Sequence, residues 1–427
     1  MPPSADPPHP DWRAWCLQVA QHARAAACQL ACAATMVKDR WLLRSSERLL
    51  QAEGSILDAN FRDVAAARAA GLSTATIDRL TLSRDRLQDM AEGMKAVAAL
   101  PEPVGQIISG QIRPNGMEVR KVRVPLGVLF FIYEARPNVT TDAAALAVKS
   151  GNAIILRGGK EALGTNRAVH AILRETLAEV GLPEAAVTFV CETERQIVTE
   201  MLKLGELIDL TIPRGGESLI REVTANASMP VLKHFRGNCH IYVDRAADLE
   251  MAWPLVTNAK CQRPGTCNAL ESLLVHQEVA AAFLPRMDQL FKEKQVQVVA
   301  CPVSLPWMPF ATSATEEDFH AEFLDLKISV KVVGSLTEAM AHIRKYGSGH
   351  TDAIITRDLE AAQAFVRQVD SACVMVNAST RLHDGQEFGL GAEIGISTDR
   401  FHARGPCGLR ELTTYKYVVT GDGHVRE

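Results

Sequence analysis

Short apolar runs with no polar face recur along this 427-residue chain, each followed by a longer helical stretch, and few folds tolerate that pattern. Val128-Leu129-Phe130-Phe131-Ile132 shows no alternation, so as a strand it must be covered on both sides. Residues 153–156 repeat the run, and 187–190 and 207–212 extend the series. Helical segments are expected between them, up to residue 150 and over 165–180. A second series begins at 273–275 and continues at 296–300, 328–333, 353–356 and 374–377, with helices expected over 278–294, 337–346 and 359–369. Strands alternating with helices predict parallel sheets wrapped by helices, here two doubly wound α/β domains. The length, too great for one core, argues the same way.

The ends of the chain read differently. Residues 1–10 are Pro-rich and expected to form a disordered tail. From Asp11 to about Leu100 the pattern is helical, with breaks expected near Asn60 and at Gly71. A turn at Pro114-Asn115-Gly116 opens a strand over 118–124, whose alternating valines suit a half-exposed edge. Residues 412–419 form a strand-like run at the chain end; pairing with the 111–126 hairpin, of this chain or of another subunit, would make a small β-flap for oligomerisation. The expected division is thus a tail over 1–10, a helical and nucleotide-binding domain over 11–235, a second domain over 236–409 and a C-terminal strand over 410–427.

Composition narrows the partners. A net charge of −4 without a basic patch argues against nucleic acid, and no uncharged apolar run reaches membrane-spanning length. The first dozen residues do not resemble a signal peptide, so a cytoplasmic, reduced protein is expected. Ten cysteines are scattered with no C-x-x-C pair, so no metal site is expected, and Cys28 and Cys32 read as helix core.

One thiol stands apart. Asn258-Ala-Lys-Cys-Gln-Arg-Pro-Gly-Thr-Cys-Asn-Ala places Cys267 after a Pro-Gly turn, where a helix must stop and the backbone can come close. Arg263 lies on the same loop, where it favours a thiolate or binds an anion. A cysteine in such a chain is more often a small buried hydrophobe, so its setting must decide. Lys260 reads as a solvated helix end. Glycine-bearing turns at Arg157-Gly158-Gly159-Lys160 and Pro213-Arg214-Gly215-Gly216 let backbone N–H groups approach an anion at a helix start, though an ordinary loop needs glycine too. His234, His240 and His350 could meet a carboxylate or phosphate, but such histidines are more often satisfied structural groups.

Taken together, the 258–269 loop, Ile212-Pro-Arg-Gly-Gly, Cys239-His-Ile-Tyr-Val-Asp, Val376-Asn-Ala-Ser-Thr-Arg, Glu387-Phe-Gly-Leu-Gly-Ala-Glu and His402-Ala-Arg-Gly-Pro resemble the aldehyde dehydrogenase superfamily. Within it they resemble the gamma-glutamyl phosphate reductase family of proline biosynthesis. The resemblance implies an aldehyde dehydrogenase-like fold and NADPH-dependent reduction of L-glutamyl 5-phosphate to glutamate 5-semialdehyde, with release of phosphate. It also implies a homo-oligomer, and it raises association with the glutamate 5-kinase that makes this labile substrate. By residue, it makes Cys267 the nucleophile and Asn138 the oxyanion donor. Arg157 and Lys160 would meet the ribose and 2′-phosphate of NADPH, with Gly215 and Gly216 beside the cofactor and Glu322 on its nicotinamide ribose. Arg263, His234 and His350 would face the substrate and its phosphate. Lys233 stands thirty-four positions before Cys267, where hydrolytic members carry a water-activating glutamate. A lysine there fits a reductase that must protect its thioester. Two other readings stay open, a CoA-acylating aldehyde dehydrogenase and a non-catalytic nucleotide-binding scaffold.

Overall fold

The computed structural model describes residues 11–426, so the tail expected over 1–10 lies outside the described residues. The chain divides into two compact units. The first holds the chain up to Lys233, Leu390–Gly395 and everything from Cys407 on, and the second holds His234–Gly389 with Ile396–Pro406. The expected single domain over 236–409 is therefore corrected. The short returns belong with the first unit because Ile394 N–H bonds the Cys407 carbonyl and Gly391 leaves room only for Leu100.

In the first unit, Trp12–Leu30, Thr35–Gln51, Glu53–Ala69, Thr74–Leu80 and Arg84–Ala99 are helices. The break expected at Gly71 is present, with φ 71°. The one near Asn60 is not, because Asn60 is buried inside Glu53–Ala69. Its amide donates to the Leu80 carbonyl (2.8 Å) and accepts from Leu82 N–H (2.8 Å). Cys28 and Cys32 are exposed, a second correction, since the buried stripe of the first helix runs through Cys16, Ala20, Ala23, Ala27 and Leu30.

A four-stranded parallel sheet follows, in the order Val187–Phe189, Ala153–Arg157, Val128–Tyr133, Leu210–Arg214. Every residue of Val128–Tyr133 is buried, as a run without alternation requires. The chain moves outward on one side of this strand and returns on the other, so the order reverses between Val128–Tyr133 and Leu210–Arg214. The loops after those two strands therefore form the crevice where α/β sheets take ligands. Helix Asn138–Lys149 starts at Asn138, and Thr140 and Thr141 are buried within its first turn.

Glu118–Pro125 pairs antiparallel with Ile107–Ile112 on one side and Thr413–Thr420 on the other. The terminal strand thus pairs within its own chain rather than across a subunit boundary, because the rest of the chain brings Leu412 to the rim of the first unit. There the Leu412 carbonyl accepts from the buried Asn152 amide (2.8 Å).

The second unit is built on a seven-stranded parallel sheet, ordered Thr312–Ser313, Gln297–Ala300, Lys327–Val333, Leu270–His276, Cys239–Val243, Thr351–Ile355, Cys373–Val376. Ile241, Leu273 and Ala353 pack with Trp253, Phe283 and Met287 on one face. Tyr242, Leu274 and Ile354 pack with Ile343 and Phe365 on the other. The central strands are thus buried on both faces, and the loops at their ends are anchored to that core.

Candidate active site

Helix Leu249–Cys261 and strand Leu270–His276 flank the loop that carries Cys267, and a buried ion pair closes its base. Lys260 Nζ lies 2.8 Å from Glu271 Oε2, and neither side chain is exposed to solvent. Lys260 is therefore no solvated helix end, a correction that periodicity could not supply, since its partner lies past the turn. Burial pushes the Glu271 carboxyl up to about 7 and the Lys260 ammonium down, with each partner opposing the other's shift. Glu271 also accepts the Leu324 N–H (3.2 Å).

Within the loop Thr266 Oγ1 bonds the Arg263 carbonyl (2.9 Å), and Ala269 N–H the Thr266 carbonyl (3.0 Å). A second segment straps it. Arg381 donates to the side-chain oxygens of Gln262 (2.8 Å) and Asn268, while the Asn268 amide donates to the His383 carbonyl (3.0 Å). Burial, then repulsion from Arg263, pushes the Arg381 guanidinium below its ordinary value, while Asp384 and the Cys267 and Cys239 thiols pull it back. Two guanidinium groups close enough to repel one another beside a thiol form a ready place for an anion.

Cys267 itself is half-buried, and its backbone is clamped from below. A Cβ on Gly237 would sit 1.9 Å from the Cys267 carbonyl oxygen, so only glycine lets these backbones touch. Cys239 Sγ lies 3.2 Å from that carbonyl oxygen. Burial, and then Asp352, push the Cys239 thiol well up, so it remains a protonated donor rather than a rival nucleophile. Gly237 N–H in turn donates to Glu322 Oε1 (2.8 Å).

The adjacent strands Leu270–His276, Cys239–Val243 and Thr351–Ile355 are parallel, so the residues just before them meet at one edge of the sheet. His234, Cys267 and His350 converge there, with one donor atom from each within 4.8 Å of the others. The His234 and His350 rings lie 5.5 Å apart. His234 Nδ1 lies 2.9 Å from the Ile396 carbonyl, which can only accept, so Nδ1 carries the proton. His350 is fully buried, and its Nδ1 meets the Thr351 hydroxyl (2.7 Å), which also reaches His383 Nδ1 (2.6 Å). The expectation of no metal site rested on linear cysteine spacing, which is blind to three donors on separate loops that precede adjacent strands. His240 is a structural group, buried with Nδ1 3.1 Å from Asp352.

The remaining expected site residues lie in the first unit. Asn138 opens its helix and donates through Nδ2 to Asp142 (3.0 Å), leaving the second amide N–H for another acceptor. Arg157 donates from its two terminal nitrogens to the Gly158 (2.7 Å) and Thr193 (2.9 Å) carbonyls, while its buried Nε has no partner among the described residues. Lys160 is exposed at the same turn. The turn is tight, since a Cβ on Gly158 would lie 2.5 Å from Asn166 Nδ2 and one on Gly159 2.7 Å from Glu161 Oε2, so a side chain at either would displace those groups. At the crevice between the reversing strands, Gly216 N–H already donates to Glu134 Oε1 (2.8 Å), and a Cβ on Gly215 would lie 2.7 Å from the same oxygen. Glu134 thus fills the anion position at the start of helix Glu217–Asn226.

Sequence reasoning missed Gly237, Arg381, Cys239 and the Lys260–Glu271 pair as builders of this site. Arg381 and Cys239 stand inside stretches that carried the resemblance, which was the one signal available for them. Nothing linear marks Gly237.

The aldehyde dehydrogenase family profile matches residues 14–302. A gamma-glutamyl phosphate reductase of Rhodopirellula baltica is 53% identical, over 97% of this chain and 96% of its own. One of Carboxydothermus hydrogenoformans is 51% identical over 96% of this chain and 99% of its own. The crystal structure of the gamma-glutamyl phosphate reductase of Thermotoga maritima superposes with a TM-score of 0.95 at 47% identity, covering 96% of this chain and all of that one.

Proposed function

The chain belongs to the aldehyde dehydrogenase family and, within it, to the gamma-glutamyl phosphate reductases, oxidoreductases of proline biosynthesis; from that premise we propose that it reduces L-glutamyl 5-phosphate through a thioester on Cys267. The observation that carries this reading is the setting of Cys267, with two imidazoles within 4.8 Å and the Arg263 and Arg381 guanidiniums beside its loop.

An imidazole takes the thiol proton, and the sulfur attacks the acyl carbon. As the carbon–oxygen bond to the phosphoryl group breaks, phosphate departs with the electron pair, and the Arg263 and Arg381 charges stabilise it. The backbone N–H of Cys267 and the amide of Asn138 are the donors proposed for the oxyanion. NADPH is the cofactor we assign, and when bound it supplies the hydride that converts the thioester to the aldehyde. The bare backbone at Gly158-Gly159 and the exposed Lys160 suit its ribose and 2′-phosphate better than Arg157, whose two terminal nitrogens already donate to backbone carbonyls. Glu322 is proposed at the nicotinamide ribose, Gly215 and Gly216 at the cofactor's edge, and His234 and His350 beside the substrate phosphate.

Assembly as a homo-oligomer is proposed through the three-stranded sheet, with a second copy of this chain as the partner. Ile107, Ile112, Tyr417 and Val419 stand more than half exposed on it, and Ile107–Ile112 and Thr413–Thr420 are edge strands.

The test runs in reverse. Glutamate 5-semialdehyde should reduce NADP+ only when inorganic phosphate is present, and Cys267→Ala should lose activity by several orders of magnitude while Cys261→Ala keeps it. Oxidation that ignores phosphate, or that yields an acyl-CoA when CoA is supplied, would sink the assignment.

A further inference from the structure

We propose that His234, Cys267 and His350 form a binding site for a borderline-soft divalent cation, Zn2+, whose occupancy reversibly caps the thiol. The donor set is one thiolate and two imidazoles, the chemistry that zinc prefers over magnesium or calcium. The donor atoms lie within 4.8 Å of one another. Tetrahedral zinc, with Zn–S near 2.3 Å and Zn–N near 2.0 Å, needs donor separations of about 3.3–3.5 Å. A contraction of at most about 1.5 Å closes that gap, and His234 and Cys267, half-buried on loops, can make it more easily than fully buried His350.

The groups behind the donors argue independently for the site. A metal-bound imidazole characteristically gives its other nitrogen to a carbonyl or hydroxyl, which fixes the ring and its tautomer. His234 does so through Nδ1 to the Ile396 carbonyl (2.9 Å), and His350 through Nδ1 to Thr351 Oγ1 (2.7 Å). Both rings would therefore meet a metal through Nε2. Three protein donors leave a fourth position to water, and the half-exposed thiol gives the ion a way in. Binding needs the thiolate, so each zinc releases the Cys267 proton to solvent.

The binding half stands on geometry alone, whereas the inhibition half rests on Cys267 being the nucleophile. Full-length, chelator-treated protein titrated with Co2+ tests the first. One equivalent per chain should raise a thiolate-to-cobalt charge-transfer band, and one equivalent of Zn2+ should abolish it. The band should vanish in Cys267→Ser and persist in Cys261→Ser. Cobalt affinity should fall by at least about tenfold in His234→Ala and in His350→Ala, a floor set by the cost of losing even an outer partner of a metal ligand. Circular dichroism would establish that each variant is folded, with His234→Gln as the milder change. Zinc should inhibit wild-type turnover, and chelator should restore it. No charge-transfer band at saturating cobalt, a band that survives Cys267→Ser, or unchanged affinity in both folded histidine variants would overturn the site. A cobalt band in protein that shows no phosphate-dependent turnover would leave the site standing and sink the catalytic reading instead.

Discussion

Gly237 shows how much one absent methyl group decides. With a Cβ placed 1.9 Å from the Cys267 carbonyl oxygen, Gly237→Ala must push the loop away from strand Cys239–Val243. A displacement of that order costs about a hundredfold in catalysis. We expect kcat to fall by about that factor while the melting transition stays cooperative; near wild-type kcat would show that the loop tolerates the shift. Lys160 makes a prediction of a different kind. It is the exposed cation at the 157–160 turn, and a charge-assisted contact there is worth about 1.5–3 kcal/mol, or one to two decades. Lys160→Glu should therefore narrow the preference for NADPH over NADH by about tenfold or more, measured as the ratio of kcat/KM values. An unmoved ratio would remove Lys160 from the cofactor site.

At the scale of the element, the Cys267 loop is a hairpin of helix, turn and strand pinned by Lys260 and Glu271. Removing one member of a buried pair strands the other charge, typically at about 3–5 kcal/mol. Lys260→Met should cost about that much stability at pH 8. The sign of its pH dependence follows from Glu271, whose folded carboxyl already lies near 7 against an ordinary 4.5. A raised carboxyl stabilises the fold below its unfolded value and loses that contribution as pH rises through the folded one. Without Lys260 the shift grows, so the penalty should shrink at pH 5, where Glu271 takes up a proton. Denaturant titrations of wild type and variant at the two pH values check this; a pH-independent difference would mean that Glu271 stays ionised without its partner. Lys260→Met with Glu271→Gln should recover most of the loss, because a neutral amide still accepts the Leu324 N–H.

For the whole molecule, the terminal strand does two jobs. It pairs with Glu118–Pro125 along its length, and the Leu412 carbonyl just before it satisfies the buried Asn152. Deleting residues 410–427 should lower the melting temperature and leave Glu118–Pro125 as a bare edge. If the sheet also joins copies of the chain, sedimentation should find the intact protein larger than one chain and the truncated one monomeric or aggregated. An intact protein that is monomeric at micromolar concentration, or an assembly that survives truncation, would refute that role.

The sequence by itself determined the alternation of buried strands and helices, because a run such as Val128–Tyr133 has no solvent-compatible face and so admits only a covered parallel sheet. It also singled out Cys267, because Pro264-Gly265 stops a helix whatever surrounds it. Local rules failed where partners are distant. Asn60 looked like a helix break but serves as a latch, and Lys260 looked solvated but is buried against a residue past the turn. Only the tertiary structure decided that the terminal strand pairs with its own chain, since strand pairing is a contest between distant edges. The same holds for the cluster at the thiol. Parallel pairing of three strands aligns their starting ends, and that alignment, with the loop contacts to the Ile396 carbonyl and to Gly237, brings His234, Cys267 and His350 together from far apart in the chain.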